Sequence, residues 1–203
     1  MPVSRRLLLA ALAASPALPT FRQTAFAQDA DPRLAERSMG PADAKVVVTE
    51  WFSLTCSHCA DFQKQTFPQV RAKLIDTGRI RYVWRDFPLD QVALTAAMVA
   101  RALPEKQYEP FITVLLSTQD KWAFARNVNS TDELAKVAAL AGMPRDVFNR
   151  TIGDAALKQA ILEAQAEGEK AGVRSTPTFI INGRVTAGAV SYDAFAKAVE
   201  AAV

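Results

Sequence analysis

All the cysteine in this 203-residue chain lies within four positions, Cys56-Ser57-His58-Cys59. The pair directly follows Lys45–Trp51, a β-branched run that reads as a buried strand. Beyond the pair, Ala60, Phe67, Val70 and Leu74 recur at helical spacing, which predicts a helix from about Ser57 to Asp76. Pro68 falls inside it, so a kink or two helices in tandem are expected. Thr77-Gly78 ends the stretch, and Arg79–Arg85 reads as a second strand. Strand, helix and strand in that order make a βαβ unit with a parallel pair. The two thiols then sit where a strand hands over to the N-terminus of a helix.

That position decides between structural and reactive readings of the cysteines. A disulfide from Cys56 to Cys59 closes a very short loop and constrains the unfolded chain little. Exported proteins that depend on disulfides for stability spread their cysteines along the chain instead. A helix N-terminus offers unpaired N–H groups and a partial positive charge, both of which favour thiolate. A cysteine there can have a pKa of about 3.5 to 7.5, against about 8.5 when free. Cys56 is therefore expected to attack, and Cys59, one turn further on and turned toward the core, to resolve the mixed disulfide. His58 is the sole histidine. Its imidazole, when protonated, would further favour a Cys56 thiolate; the alternative is an exposed first-turn residue. Zinc is the competing chemistry, but a structural zinc site needs four ligands, and one CxxC with one histidine leaves the set incomplete. Neither a metal nor a cofactor is expected.

From Leu89 to Gly172 no convincing strand is found. Leu94–Leu103 and Tyr108–Leu116 are helix-like, and Ser130-x-x-Glu133 has the form of a capping box before a helix ended by Gly142 and Pro144. Asp154 can cap a longer helix that stops near Gly172. Trp122 and Phe124 are expected in the core of this helical block; the alternative is an exposed apolar rim that grips unfolded substrate. Strands return at Thr178–Ile181 and Arg184–Thr186, which flank Asn182-Gly183, a pair suited to a type I′ turn. Ser191 caps a last helix carrying Tyr192, Phe195 and Val199 on one face. The order is βαβ, a block of helices, then ββα. The expected fold class is α/β, a thioredoxin-like core with an inserted helical domain. The expected boundaries are a lead at 28–44, a core at 45–88 and 173–203, and an insert at 89–172.

Residues 1–27 read as an export signal. Arg5 and Arg6 precede a short apolar stretch, Leu7 to Leu18, and Ala25-Phe26-Ala27 fits a signal-peptidase site. Ser4-Arg5-Arg6-Leu7-Leu8 also has the look of a twin-arginine signal, with Sec export the alternative. The apolar stretch falls short of the roughly 20 residues a spanning helix needs, so no stable membrane insertion is expected. Three of the 24 basic residues, Arg5, Arg6 and Arg22, and none of the 21 acids lie in this segment. Without it the charges balance, which removes the case for a nucleic-acid partner.

Four features together resemble the DsbA-like branch of the thioredoxin superfamily. They are Glu50-Trp51-Phe52-Ser53-Leu54-Thr55-Cys56-Ser57-His58-Cys59, with an acid six residues before the first cysteine; Arg85-Asp86-Phe87-Pro88-Leu89 leading into the insert; Thr176-Pro177 just before a strand; and the helical insert between the two. The resemblance covers about residues 39–203. It implies an exported, periplasmic thiol:disulfide oxidoreductase acting on unfolded or reduced exported proteins, with a membrane quinone-linked reoxidant. It implies that Pro177 is cis and packs against the CxxC, with the backbone before it pairing with a substrate strand. It also implies that Glu50 lies beneath the thiols and assists proton transfer at Cys59; the alternative is a glutamate turned to solvent. Two positions depart from the best-known members: Ser57 stands where they have Pro, and Thr176 where many have Val. Both bear on the direction of electron flow, so a disulfide reductase or isomerase is the alternative to an oxidase. Isomerase-type relatives usually carry an N-terminal dimerisation domain, for which 28–44 is too short. A third reading is a holdase that needs no thiol.

Overall fold

The structure, a computed structural model, describes residues 31–203. The expected export signal at 1–27 lies outside the described residues. Five strands form one mixed sheet: β1 (Arg37–Met39), β2 (Val46–Phe52), β3 (Ile80–Asp86), β4 (Thr178–Ile181) and β5 (Arg184–Ala187), in the order β1-β3-β2-β4-β5. β2 runs parallel to β3, with Val48 opposite Tyr82 and Glu50 opposite Trp84, and antiparallel to β4. The hairpin turns at Asn182 and Gly183, both at positive φ (42° and 84°), as a type I′ turn requires. The fold class agrees with the thioredoxin-like expectation.

β1 was not expected. Its three residues, Arg-Ser-Met, carry no β pattern of their own, and they are held by antiparallel pairing with β3, Arg37 opposite Trp84. Gly40 turns the chain away at φ +88°; a Cβ there would lie 2.3 Å from the Ile80 carbonyl oxygen.

The long helix breaks as the proline predicts. α1 (Ser57–Gln65) stops at Thr66, and α2 (Phe67–Val70), with Pro68 in its first turn, runs on into a π-helical turn at Arg71–Ile75. The block between β3 and β4 is helical: α3 (Gln91–Ala102), α4 (Glu105–Ser117), α5 (Gln119–Trp122), α6 (Ser130–Leu140), α7 (Arg145–Ile152) and α8 (Ala155–Lys170). The cap of α6 is Asn129, one residue earlier than expected: its Oδ1 accepts from the Thr131 and Asp132 N–H groups, while the Ser130 hydroxyl donates to the Ala123 carbonyl. Asp154 caps α8, as expected. Trp122 is buried, but Phe124 is exposed, because the chain leaves the helix at Ala123 and carries Phe124 off the packed face. Ser191 caps α9 (Tyr192–Glu200).

Alternation along β2 splits the core. Val46, Val48, Glu50 and Phe52 face α1, α2 and α9, joining Phe62, Phe67, Tyr82, Phe179 and Phe195. Trp51 faces the other way, toward Phe87, Val173 and α8. There α8 comes so close that a Cβ on Gly168 would lie 2.7 Å from the Trp51 ring. Alanine is worth about 1 kcal/mol more than glycine inside a helix, yet the indole is locked by its neighbours, and overpacking costs about 1–3 kcal/mol. Gly168→Ala is therefore expected to lower stability by up to about 2 kcal/mol in urea unfolding; an increase would mean that α8 can lift off the sheet freely.

Candidate active site

β2 ends at Phe52, and Ser53-Leu54-Thr55 carries the chain up to Cys56, the N-cap of α1. The Cys59 N–H donates to the Cys56 sulfur at 3.4 Å. The two thiols are unbonded, so the geometry is that of the dithiol form. Both are buried, Cys59 completely, within the same cluster as Val48, Phe52 and Phe62.

Long-range hydrogen bonds hold this turn. The Ser53 hydroxyl accepts from Leu89 N–H (3.3 Å) and Thr55 N–H (3.4 Å). The Thr55 hydroxyl donates to Asp90 at 2.7 Å, and the other Asp90 oxygen caps α3 by accepting from Ala93 N–H. Gln119, buried on α5, donates through Nε2 to the Leu54 carbonyl (2.9 Å) and the Cys56 carbonyl (3.0 Å). The sequence reading singled out none of these. Asp90 carries an N-cap signal, but nothing local marks it, Thr55 or Gln119 as a tether.

The Thr176–Pro177 peptide bond is cis and lies against the thiols. In its thiol form Cys56 donates to the Thr176 carbonyl at 3.2 Å. The Pro177 carbonyl is taken by the Gly188 N–H at 2.8 Å, so it is the Thr176 backbone that faces the sulfur. The Thr176 hydroxyl is buried and has no hydrogen-bond partner among the described residues.

The surroundings divide the two thiols sharply. Cys56 is drawn down from an ordinary thiol value of 9.0 to about 5, first by the hydrogen bond from the Cys59 thiol, against the opposing effect of burial, then by Thr176 and the N–H groups of Cys59 and His58. Burial pushes Cys59 the other way, well above 9.0, helped by Cys56 and by the charge of Glu50. Glu50 is buried beneath them and held up to about 7 by loss of water; the Tyr82 phenol, which donates to it at 2.8 Å, works against that rise, and the Cys56 charge adds to it. The structure thus gathers Cys56, Cys59, Glu50, Thr176 and Pro177. The His58 side chain is exposed, and what reaches the Cys56 sulfur from this residue is its backbone N–H. Among the described residues no group of three or more His, Cys, Asp or Glu side chains is placed to hold a metal ion.

Comparison with known proteins bears on the same stretch. A family model described as Thioredoxin matches residues 33–201. A Rickettsia felis protein with the provisional name protein-disulfide oxidoreductase is 31% identical over 167 residues; the match covers 81% of this chain and 59% of the relative's length. Among solved structures, alpha-DsbA1 of Wolbachia pipientis is 28% identical, with a TM-score of 0.75 over 82% of this chain and 89% of that one. A protein-disulfide isomerase of Novosphingobium aromaticivorans shares the fold, with a TM-score of 0.71 over 82% of this chain and 96% of that one, at 21% identity.

Proposed function

Because this chain belongs to the thioredoxin family, in its DsbA-like branch, we propose that it is a periplasmic thiol:disulfide oxidase that passes a Cys56–Cys59 disulfide to reduced, unfolded exported proteins. The observation that carries this reading is the placement of the two thiols: Cys56 caps α1 and accepts the Cys59 N–H, which favours its thiolate, while Cys59 is completely buried, which disfavours its own. A low-pKa thiolate is a good leaving group and a stable product, so reduction of the disulfide is favoured.

In the proposed cycle a substrate thiolate attacks the Cys56 sulfur of the disulfide. The Cys56–Cys59 bond breaks, a substrate–Cys56 bond forms, and the electron pair leaves on Cys59. Glu50, protonated in part near pH 7, supplies the proton that Cys59 needs. A second substrate thiolate then attacks the substrate sulfur of the mixed disulfide and expels Cys56 as thiolate. The substrate dithiol has lost two electrons and two protons, and this protein holds the dithiol. A membrane quinone-linked acceptor is the proposed reoxidant. Thr176 and Pro177 would present a backbone edge to the substrate strand, and the His58 imidazole would tune the thiolate from outside. Export would proceed by the Sec or twin-arginine route through residues 1–27. No helix of the described residues is long and apolar enough to cross a membrane.

A Cys56 pKa about two units below pH 7 adds about 60 mV of oxidising power. Equilibration with glutathione should therefore give a potential well above the roughly −270 mV of thioredoxin. A value near that of thioredoxin would reject the oxidase and favour the reductase or isomerase reading, for which Ser57 and Thr176 are the supporting residues.

A further inference from the structure

The geometry points to Tyr82 as a positioning residue for proton transfer, its phenol anchoring one oxygen of the buried Glu50 carboxylate so that the other serves Cys59. The inference rests on the proposed role of Glu50 and adds to it the group that makes the carboxylate usable. Tyr82 comes from β3, which runs parallel to β2. Its Cα lies opposite Val48, so it is the diagonal neighbour of Glu50 on the same face of the sheet. Its hydroxyl donates to Glu50 Oε2 at 2.8 Å, and Oε1 accepts no hydrogen bond among the described residues. Tyr82 is completely shut off from water and Glu50 nearly so, at 3% exposed.

A buried carboxylate without a donor is costly and stays protonated. One that has lost its proton to solvent and is held by a single neutral donor can take a proton and return it. A buried lysine or arginine in place of Tyr82 would pin the carboxylate in the charged form. A phenol donates one hydrogen bond and leaves the charge free to change. The phenol keeps its own proton throughout, since burial and the charge of Glu50 both push its pKa well above 10.0.

The other groups around Glu50 leave Tyr82 as its one hydrogen-bonding partner among the described residues. From α1 come Cys56 and Cys59, whose charges act on it or feel it. Across β4 lies Phe179, and α9 supplies Phe195, both apolar. From α4, Tyr108 feels the Glu50 charge, but its own hydroxyl donates to Asp86, which pairs with Arg101.

The test is the pH dependence of the step in which Cys59 resolves a mixed disulfide between Cys56 and glutathione, followed by stopped flow in native, Glu50→Gln and Tyr82→Phe proteins. Native protein should show an acid limb with a midpoint near 7, and Glu50→Gln should lose it. Tyr82→Phe removes one hydrogen bond to a charged acceptor and should move the midpoint up by about one to two pH units. A midpoint that stays in place in Tyr82→Phe, with or without a uniform fall in rate, overturns the inference and leaves Glu50 intact. A limb that survives in Glu50→Gln overturns both. A second measurement needs no Tyr82 variant: the infrared difference between native and Glu50→Gln protein should show a carboxyl band at the frequency of a hydrogen-bonded group, and a band at that of a free buried carboxyl would overturn the contact.

Discussion

Cys59→Ala is expected to reduce disulfide-transfer turnover to the uncatalysed background while collecting the protein as mixed disulfides through Cys56. The Cys56 thiolate can still attack a disulfide in a partner protein and form the mixed disulfide, but Cys59, which would break it by attacking the Cys56 sulfur, is gone, so only a thiol of the partner or of the solution can release it. Cys56→Ser should be equally inactive and should trap nothing. There is a complication that the geometry foresees. The Cys59 thiol is the largest contributor to the low pKa of Cys56, so its removal leaves a weaker thiolate. Trapping in Cys59→Ala should therefore improve as the pH is raised above neutral. Non-reducing gels and mass spectrometry of the adducts would read both points and name the substrates. Turnover in Cys56→Ser at anything near the native rate would end the thiol mechanism, and full suppression of substrate aggregation by a variant lacking both thiols would move the reading to a holdase.

The second large effect is on stability. Cys56 has a folded pKa of about 5 against an ordinary 9.0. Between those values the folded dithiol protein binds fewer protons than the unfolded chain, so the contribution grows with pH. It is complete above about pH 9 and is lost as the pH falls through 5. At pH 7 it comes to about 2–3 kcal/mol, two units at 1.36 kcal/mol each. The disulfide form has no thiolate and lacks this contribution. The stability of the dithiol form relative to the disulfide form should therefore rise by about 1.4 kcal/mol per pH unit between 6 and 8 and flatten below 5. Glu50, raised to about 7, opposes folding as the pH climbs from 4.5 to 7. It does so in both redox forms and largely drops out of the difference. Urea unfolding of both forms across this range checks the slope; a flat difference would show that Cys56 titrates as an ordinary thiol.

Much of the fold could be read from the sequence because its signals are local. The β-branched run, the helical period, Pro68 and Asn182-Gly183 each act within a few residues, and each sits where expected. β1 escaped because three residues of mixed polarity are a strand only once β3 lies beside them. The cap of α6 was placed one residue late because Ser130 satisfies the capping pattern while the geometry favours Asn129. Phe124 shows that an apolar residue at the end of a short helix need not share its neighbour's burial. In the site, the thiols announce themselves by type and spacing, and the Thr176–Pro177 pair is picked out by the family resemblance. Gln119 and Asp90 do not, since their partners lie 65, 63 and 35 positions away. Tyr82 reads as one more aromatic in a strand, and only the neighbouring strand gives its hydroxyl a purpose.

The two hydrogen bonds from Gln119 place the inserted helices inside the chemistry of the motif. The Leu54 and Cys56 carbonyls belong to the turn that sets Cys56 at the cap of the first helix, where its sulfur meets backbone N–H groups. A swap of inserts between related chains would thus carry a redox setting with it, even with every residue of Cys56-Ser57-His58-Cys59 left alone. In this chain the turn that carries Cys56 is tied to a side chain some sixty positions downstream.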